Sequence, residues 1–222
     1  MSEAAALVEE IQRQLQPLEE RIRQHAYLQA LETRRLAPEK LRCFVGEQWY
    51  IIRSDLRSIA LLVSRCESEL SQRFFRDVLQ GEAAALEALE QLAQAAGMPL
   101  AERQAYEPTP GAQAYSAYLA WLCLYASDAE VAAALAVNFA AWGANCGRMA
   151  RALEQHYGFA PADLRFFTQF AAAPAEVSPQ ALAVIDAGLR RGVERQRVVR
   201  AARLLQGYEL LFWDTLYTLS TA

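Results

Sequence analysis

The segment GYELLFWDTLYTL, residues 207–219, has the periodicity of an amphipathic helix. Counting from Glu209, Phe212 and Trp213 follow at three and four positions, so they lie on the same side of that helix. Tyr217, eight positions on, extends this face. A carboxylate inside an aromatic face is costly unless it is paired or used in chemistry. Glu209 is therefore either part of a buried structural network, the more common case, or a functional acid.

The same helical periodicity recurs along almost all 222 residues, and no segment alternates apolar and polar residues for long enough to predict a strand. The pattern predicts an all-α protein, with seven or eight helices in one bundle formed by residues 1–222. The expected helices cover residues 3–31, 38–64, 67–96, 112–126, 127–157, 161–173 and 178–219. Pro17 is expected to kink or break the first of them. Three glycines are expected to bend the last helix or to allow close packing: Gly188, Gly192 and Gly207.

The composition is that of a folded protein with a small excess of acidic residues. Hydrophobic residues make up 54% and charged residues 22%, which excludes an intrinsically disordered chain. The formal charge of −4 and the pI near 5.4 argue against the basic face of a nucleic-acid binder. No apolar run reaches the roughly 18–20 residues of a membrane span, and the acidic start MSEAAALVEEIQRQL is unlike a secretory signal. We therefore expect a cytoplasmic protein without nucleic-acid or membrane partners.

Thiol and imidazole groups are few and scattered. The four cysteines form no C-x-x-C pair and are expected to be reduced thiols in the core: Cys43, Cys66, Cys123 and Cys146. His25 and His156 are the only histidines, and each is more readily explained as structural than as a metal ligand or base. Glycine-rich phosphate loops, HExxH and GxSxG are absent. We expect no metal and no other cofactor.

The helix expected around residues 41–57 carries polar residues inside an apolar run. Glu47 stands three positions before Tyr50, whereas Gln48 stands four before Ile52, so Glu47 and Gln48 cannot share one environment. One of the two can point inward with Tyr50 while the other faces solvent or a neighbouring helix, and the pattern leaves both options open. Asp55 and the arginines near it are consistent with a surface ion pattern, which contributes little to stability.

An aromatic stripe with 3-3-4 spacing follows in the middle of the chain: Tyr115, Tyr118, Trp121 and Tyr125. Such a stripe is more often part of a core than of a ligand cage. Cys123 lies off the stripe and has no partner nearby in the sequence, so a nucleophilic role for it is poorly supported.

Three segments, in this order, resemble the TenA/thiaminase II family: HAYLQAL at 25–31, APEKLRCFVGEQWYII at 37–52 and YELLFWDTLY at 208–217. This family belongs with PqqC and the di-iron oxidases to the heme-oxygenase-like superfamily. The resemblance spans nearly the whole chain, and the E-x-x-F-W-D-x-x-Y helix is its most specific part. It implies an all-α bundle with a central pocket, assembled as a homodimer or a homotetramer.

The resemblance also implies roles for particular residues. It makes Glu209 the catalytic carboxylate, which handles protons on a pyrimidine substrate. The aspartate that the family carries in its second helix falls on Gln48, or on Glu47 if the register shifts by one residue. Tyr50 or Ile51 then takes the place of a pocket tyrosine.

The catalytic residues of two activities known in this superfamily are absent from this chain at the positions compared. The thiaminase nucleophile is a cysteine four residues before a tyrosine, and counting back from Tyr125 gives Trp121. Cys123 is two residues out of register, which turns its side chain by about 200° around a helix. The di-iron members carry a His-x-x-x-Asp-x-x-His spacing where this chain has Phe170, Pro174 and Val177, although Asp128 could match one carboxylate ligand.

We therefore expect a TenA/PqqC-like protein that binds a small planar organic molecule in a central aromatic pocket. Glu209 is the expected catalytic group, which would hydrolyse thiamin-type pyrimidines. The expected binding residues are Glu47, Gln48, Tyr50, Trp121, Tyr125, Phe212 and Tyr217. One alternative is a non-catalytic binding or regulatory protein that has lost the family's catalytic groups, and a less favoured one is a heme-oxygenase-like di-iron oxidase.

Overall fold

A computed structural model describes residues 2–172 and 176–221. These residues form ten α-helices and two 3₁₀ turns, and no strand occurs among them. The first five helices are α1 (Glu3–Arg23), α2 (Ala26–Glu32), α3 (Leu41–Arg65), α4 (Glu69–Ala95) and α5 (Leu100–Ala105). The second five are α6 (Pro110–Tyr125), α7 (Asp128–Tyr157), α8 (Arg165–Ala171), α9 (Pro179–Arg190) and α10 (Arg195–Thr221). The 3₁₀ turns Pro38–Lys40 and Pro161–Leu164 lead into α3 and α8.

The all-α prediction is confirmed, but the described helices outnumber the seven or eight expected. The first predicted helix runs through Pro17 and breaks at Gln24, after which His25 caps α2. The last one divides into α9 and α10, because Gly192 adopts a φ of +92° that favours glycine. A further short helix, α5, forms between the helices expected at 67–96 and 112–126.

Local signals explain where the long helices start and stop. The Ser127 side chain accepts a hydrogen bond from the Glu130 backbone N–H, and the Glu130 carboxylate accepts one from Ser127 in return. This capping box begins α7, and Gly158, with a φ of +76°, ends it. Of the predicted helix at 161–173, Ala173 lies outside the described residues, as does Pro174.

Helix α7 lies at the centre of the bundle and packs against α10, α8, α9, α2 and α1. It is buried on nearly all sides because alanines line much of its length, which lets neighbouring helices come close. At Gly143, a Cβ atom would lie 2.7 Å from the backbone oxygen of Phe170, so only glycine allows α8 to approach this closely. That approach places the Phe170 ring beside the centre of the bundle.

Within the described ranges, no helix combines the length and the apolar character needed to cross a membrane.

Candidate functional site

A cavity of about 50 Å³ lies between α3, α4, α6, α7, α8 and α10. Six polar residues line it: Gln48, Asp55, Glu82, Tyr115, Asn138 and Glu209. Six apolar residues complete its walls: Ile51, Ile52, Phe139, Trp142, Phe170 and Phe212. Three carboxyl groups therefore face a small space with aromatic walls.

Glu209 on α10 is almost fully buried, with 2% of its surface exposed. The Trp213 indole N–H donates to its Oε1 at 3.2 Å, and the Asn138 amide donates to its Oε2. Burial raises the pKa of Glu209 to about 7, although the two hydrogen bonds act in the opposite direction. At neutral pH this carboxyl group is therefore present in both its protonated and its ionised form, as a general acid or base requires.

Asn138 connects Glu209 to a buried polar network. Its Nδ2 also donates to Oε1 of Gln206 at 3.1 Å, and its Oδ1 accepts from the Tyr115 hydroxyl at 3.0 Å. Burial raises the pKa of Tyr115 well above its usual value, and the nearby carboxylates of Asp55, Glu209 and Glu82 raise it further. The Tyr115 phenol is thus a stable hydrogen-bond donor that holds the amide of Asn138 in one orientation.

Asp55 on α3 and Glu82 on α4 add two more carboxyl groups. Asp55 is 4% exposed, and its Oδ1 has no hydrogen-bond partner among residues 2–172 and 176–221. Burial raises its pKa well above the usual value, and the negative charge of Glu82 adds to this effect. Burial also raises the pKa of Glu82 to about 7. Ionisation of one of these two carboxyl groups therefore opposes ionisation of the other.

The aromatic walls form a packed cluster. The ring centre of Trp142 lies 5.8 Å from that of Phe170 and 6.1 Å from that of Phe212, and both pairs are edge to face. Trp142 also packs at 5.7 Å against Trp213, the residue that donates to Glu209. Packing of this kind holds the rings in place, so the cavity has rigid apolar sides.

The structure brings together three of the residues named from the sequence. Glu209, Gln48 and Phe212 all line the cavity. Glu47 is also buried, but it points to the other side of α3. There its carboxylate accepts hydrogen bonds from the Tyr106 hydroxyl at 3.0 Å and from the Thr109 backbone N–H at 2.9 Å. Gln48, rather than Glu47, is therefore the residue that faces the cavity.

The other four residues named as binding residues lie away from this cavity. Trp121 and Tyr125 are 49% and 67% exposed, because α6 turns this part of its aromatic stripe outward. Tyr50 lines an outer groove, where its hydroxyl donates to the Gln104 carbonyl at 3.4 Å. Tyr217 packs at 6.2 Å against the edge of His25. Only Tyr115, at the start of the stripe, reaches the cavity.

The histidines and the possible iron ligands have other partners. His25 accepts the Tyr27 backbone N–H at Nδ1, so its Nε2 carries the proton and donates to Asp214 at 3.0 Å. Asp128 pairs with Arg191 at 2.6 Å and accepts the Ser71 hydroxyl at 2.6 Å, outside the cavity. In the described part of the chain, no three His, Cys, Asp or Glu side chains are grouped as they would be to hold a metal ion.

Sequence reasoning missed Asp55, Glu82, Asn138 and Trp142. Asp55 follows Gln48 by seven residues on one helical face, a spacing that places it on the same side of α3. Glu82 interrupts the apolar stripe of α4 between Phe75 and the buried Leu89. Both spacings can be recognised in the sequence, and the interpretation of Asp55 as a surface residue was wrong.

Asn138 and Trp142 stand four residues apart on α7, and both line the cavity. The thiaminase cysteine and tyrosine have the same four-residue spacing, which the resemblance predicts at Trp121 and Tyr125 on α6. No cysteine is among the described lining residues, and the buried Cys123 has a pKa raised to about 12 by burial.

Comparisons with known proteins agree with this fold. A TenA homologue from Pyrococcus furiosus is 20% identical, with a TM-score of 0.74, over 95% of this chain and 100% of that one. A TenA homologue from P. horikoshii OT3 is 17% identical, with a TM-score of 0.77, over 96% and 99% of the two chains. A heme-oxygenase-like domain of unknown function from Shewanella denitrificans is 11% identical, with a TM-score of 0.70, over 97% and 89%.

The structural neighbours confirm the expected heme-oxygenase-like bundle, whereas a homodimer or homotetramer stays a prediction. The search of curated proteins returned no match. The model of the TENA/THI-4/PQQC family matches residues 12–219, nearly the whole chain. The chain therefore belongs to the TENA/THI-4/PQQC family.

Proposed function

We propose that the protein binds a small planar nitrogen heterocycle in the cavity beside Glu209 and that Glu209 serves as general acid and base in its hydrolysis. The substrate class is a single-ring amino-pyrimidine of the thiamin type. The observation that carries this proposal is the Glu209 carboxyl group, which is buried at the cavity wall with a pKa of about 7.

The size of the cavity favours one ring over two. A buried water needs roughly 10–15 Å³ of such volume, so a cavity of about 50 Å³ has room for only a few heavy atoms without side-chain movement. Sites for drug-sized ligands are several times larger, at about 300–1,000 Å³. An amino-pyrimidine needs less rearrangement of the walls than the two-ring molecule thiamin does.

The lining residues can hold such a ring and move its protons. Trp142, Phe170 and Phe212 supply apolar aromatic walls, and the Gln48 amide can both donate and accept hydrogen bonds. In hydrolysis of a carbon–nitrogen bond, ionised Glu209 accepts a proton from the attacking water. Protonated Glu209 then donates it to the departing amine, so the products are a hydroxyl compound and ammonia or an amine.

A non-catalytic binding protein is the second candidate. The observation that favours it is Asn138, because the residue four positions before the aromatic Trp142 on the cavity wall is an amide and not a thiol. An amide cannot serve as the nucleophile of thiamin cleavage.

One experiment separates these two candidates. An aminomethyl-substituted 4-aminopyrimidine is incubated with wild-type protein, with Glu209→Gln and with the exposed control Glu154→Gln, and products are followed by mass spectrometry. We expect the rate to fall by about 10²- to 10⁴-fold in Glu209→Gln and to be unchanged in Glu154→Gln. Binding without turnover by wild-type protein supports the non-catalytic candidate. Absence of both binding and turnover rejects this ligand class.

A further inference from the structure

The ionisable side chains around the cavity are all acids, Tyr115 included. Carboxyl groups come from three helices, at Asp55, Glu82 and Glu209, while the described lining residues include no lysine, arginine or histidine. The function proposed above uses Glu209 for chemistry. It leaves the other two carboxyl groups without a role.

Asp55 lacks the partners that a buried carboxyl group normally has. It is 4% exposed, it lines the cavity, and its Oδ1 has no hydrogen-bond partner in the described ranges of the chain. Native proteins pair almost all buried polar atoms, because an unpaired one has lost its water without compensation. An unpaired oxygen at the wall of a cavity points to a partner that enters the cavity.

Glu82 lies between the cavity and an outer groove. Together with Phe139 and Phe170, it lines both the cavity and an outer groove of about 340 Å³. Asp77 adds a further carboxylate to this groove, and the groove's described lining also contains no basic residue. A groove lined by one sign of charge attracts ligands of the opposite sign to its surface.

The chemistry of the occupant follows from these groups. Two neighbouring carboxylates repel each other unless a proton or a cation lies between them. A planar cation with several N–H groups can donate to both, and its hydrogen bonds are stronger than those of a neutral ligand. The ring of Trp142 on the same cavity wall also favours a cation through its π-face.

We infer that Asp55 and Glu82 form a subsite for the amidinium or protonated amino group of a small planar ligand, so that the molecule bound in this cavity is a cation. This inference rests on the proposed function, since it takes the cavity to be the ligand site. It assigns charge recognition to Asp55 and Glu82 and leaves proton transfer to Glu209.

The test compares two probes of nearly the same shape. Acetamidinium is a planar cation and acetamide its neutral counterpart, and both are small enough for the cavity. Each is titrated into the full-length protein while the tryptophan indole N–H signals, including that of Trp142, are followed by NMR. The variants are Asp55→Asn, Glu82→Gln and Glu209→Gln. Glu87→Gln is the control, because it makes the same charge change at an exposed site of α4.

We expect wild-type protein to bind acetamidinium at least 10-fold more tightly than acetamide. Asp55→Asn and Glu82→Gln should each reduce this preference at least fivefold. The control Glu87→Gln should leave the preference unchanged. Glu209→Gln should retain more of the preference than Asp55→Asn does. Glu82 is only partly buried, so Glu82→Gln still gives a result if Asp55→Asn fails to fold.

Equal binding of the two probes, or a preference that persists in both Asp55→Asn and Glu82→Gln, overturns the inference and leaves the proposed function standing. Loss of the preference only in Glu209→Gln likewise overturns it, because charge recognition would then belong to Glu209. Failure of wild-type protein to bind either probe counts against the inference and against the cavity as a ligand site. Hydrolysis of the aminopyrimidine despite that failure would restore the proposed function alone.

Discussion

The side-chain amide of Asn138 on α7 donates a hydrogen bond to Oε2 of Glu209 on α10. Such a bond favours the ionised form of the carboxyl group, whereas burial favours the protonated form. Burial has the larger effect, and the pKa of Glu209 is raised to about 7. The pairing of these two residues therefore sets both the position and the protonation of the proposed acid–base group.

Exchanging the amide and the carboxyl group between positions 138 and 209 tests this pairing. Asn138→Asp places a second carboxylate against Glu209, and we expect it to lower the free energy of unfolding by about 3 kcal/mol at pH 8 and by less at pH 5. Adding Glu209→Gln should restore much of the loss, because the new amide can donate to the new carboxylate. Urea unfolding followed by circular dichroism measures wild-type protein, the single variants Asn138→Asp and Glu209→Gln, and the double variant. A double variant whose loss equals the sum of the single losses would show that the two side chains do not interact.

The pH dependence of stability should carry a contribution from Glu209. Its folded pKa of about 7 lies above its usual 4.5, so the folded protein holds a proton that the unfolded chain releases. This stabilisation is fully present below pH 4.5 and is lost as the pH rises through 7, by about 3 kcal/mol in all.

The measurement is urea unfolding between pH 4.5 and 8 for wild-type protein, Glu209→Gln and the exposed control Glu154→Gln. Asp55 and Glu82 also have raised pKa values and act in the same direction, so the variant should keep part of the decline. We expect a shallower decline in Glu209→Gln and no change in the control. Parallel curves for all three proteins would contradict the raised pKa of Glu209.

Glu47 should matter for stability and not for ligand binding. Its carboxylate accepts hydrogen bonds from Tyr106, Gln113 and both the backbone and the hydroxyl of Thr109, at 2.7–3.0 Å. In Glu47→Gln an amide NH₂ would face one set of these donors, and we expect a loss of about 2–3 kcal/mol in unfolding free energy. The probe affinities described above should stay within twofold of wild type. A large loss of affinity in a folded variant would place Glu47 in the binding site after all.

The ring of Tyr106, whose hydroxyl donates to Glu47, leaves no room for a side chain at position 46. A Cβ atom at position 46 would lie 2.7 Å from that ring, so Gly46→Ala should move Tyr106 and cost about 1–3 kcal/mol. Gly207 on α10 has open space around it, and there Gly207→Ala should be neutral or stabilise by about 0.5–1 kcal/mol through helix propensity. Thermal and urea unfolding of the two variants compare them directly, and equal effects would argue against the contact with Tyr106.

Much of the helical architecture and one part of the site could be predicted from local patterns. Helical periodicity and capping residues such as Ser127 and Gly158 depend only on residues close in the sequence, so both can be recognised there. Glu209 stood out because a carboxylate among aromatic residues on one helical face is rare. The break at Gln24 and the division at Gly192 were harder to predict, because short helices depend on what packs against them.

These local patterns do not predict which side chains line the cavity. Asp55 and Glu82 lie on different helices, and only the packing of α3 against α4 brings their carboxyl groups to one space. In the same way, only the crossing of α7 and α10 places Asn138 against Glu209. Trp121 and Tyr125 have the spacing of a buried stripe, yet they are exposed because α6 presents that face outward.

The sequence by itself determined that this protein is a helical bundle of the TENA/THI-4/PQQC family with Glu209 on a buried helical face. Periodicity is a property of one helix, and it requires no knowledge of the partner. Which of Glu47 and Gln48 faces the cavity, and which acids share it, was decided only by the tertiary structure. The physical reason is that a cavity is the space between helices, and its chemistry depends on their relative rotation and distance.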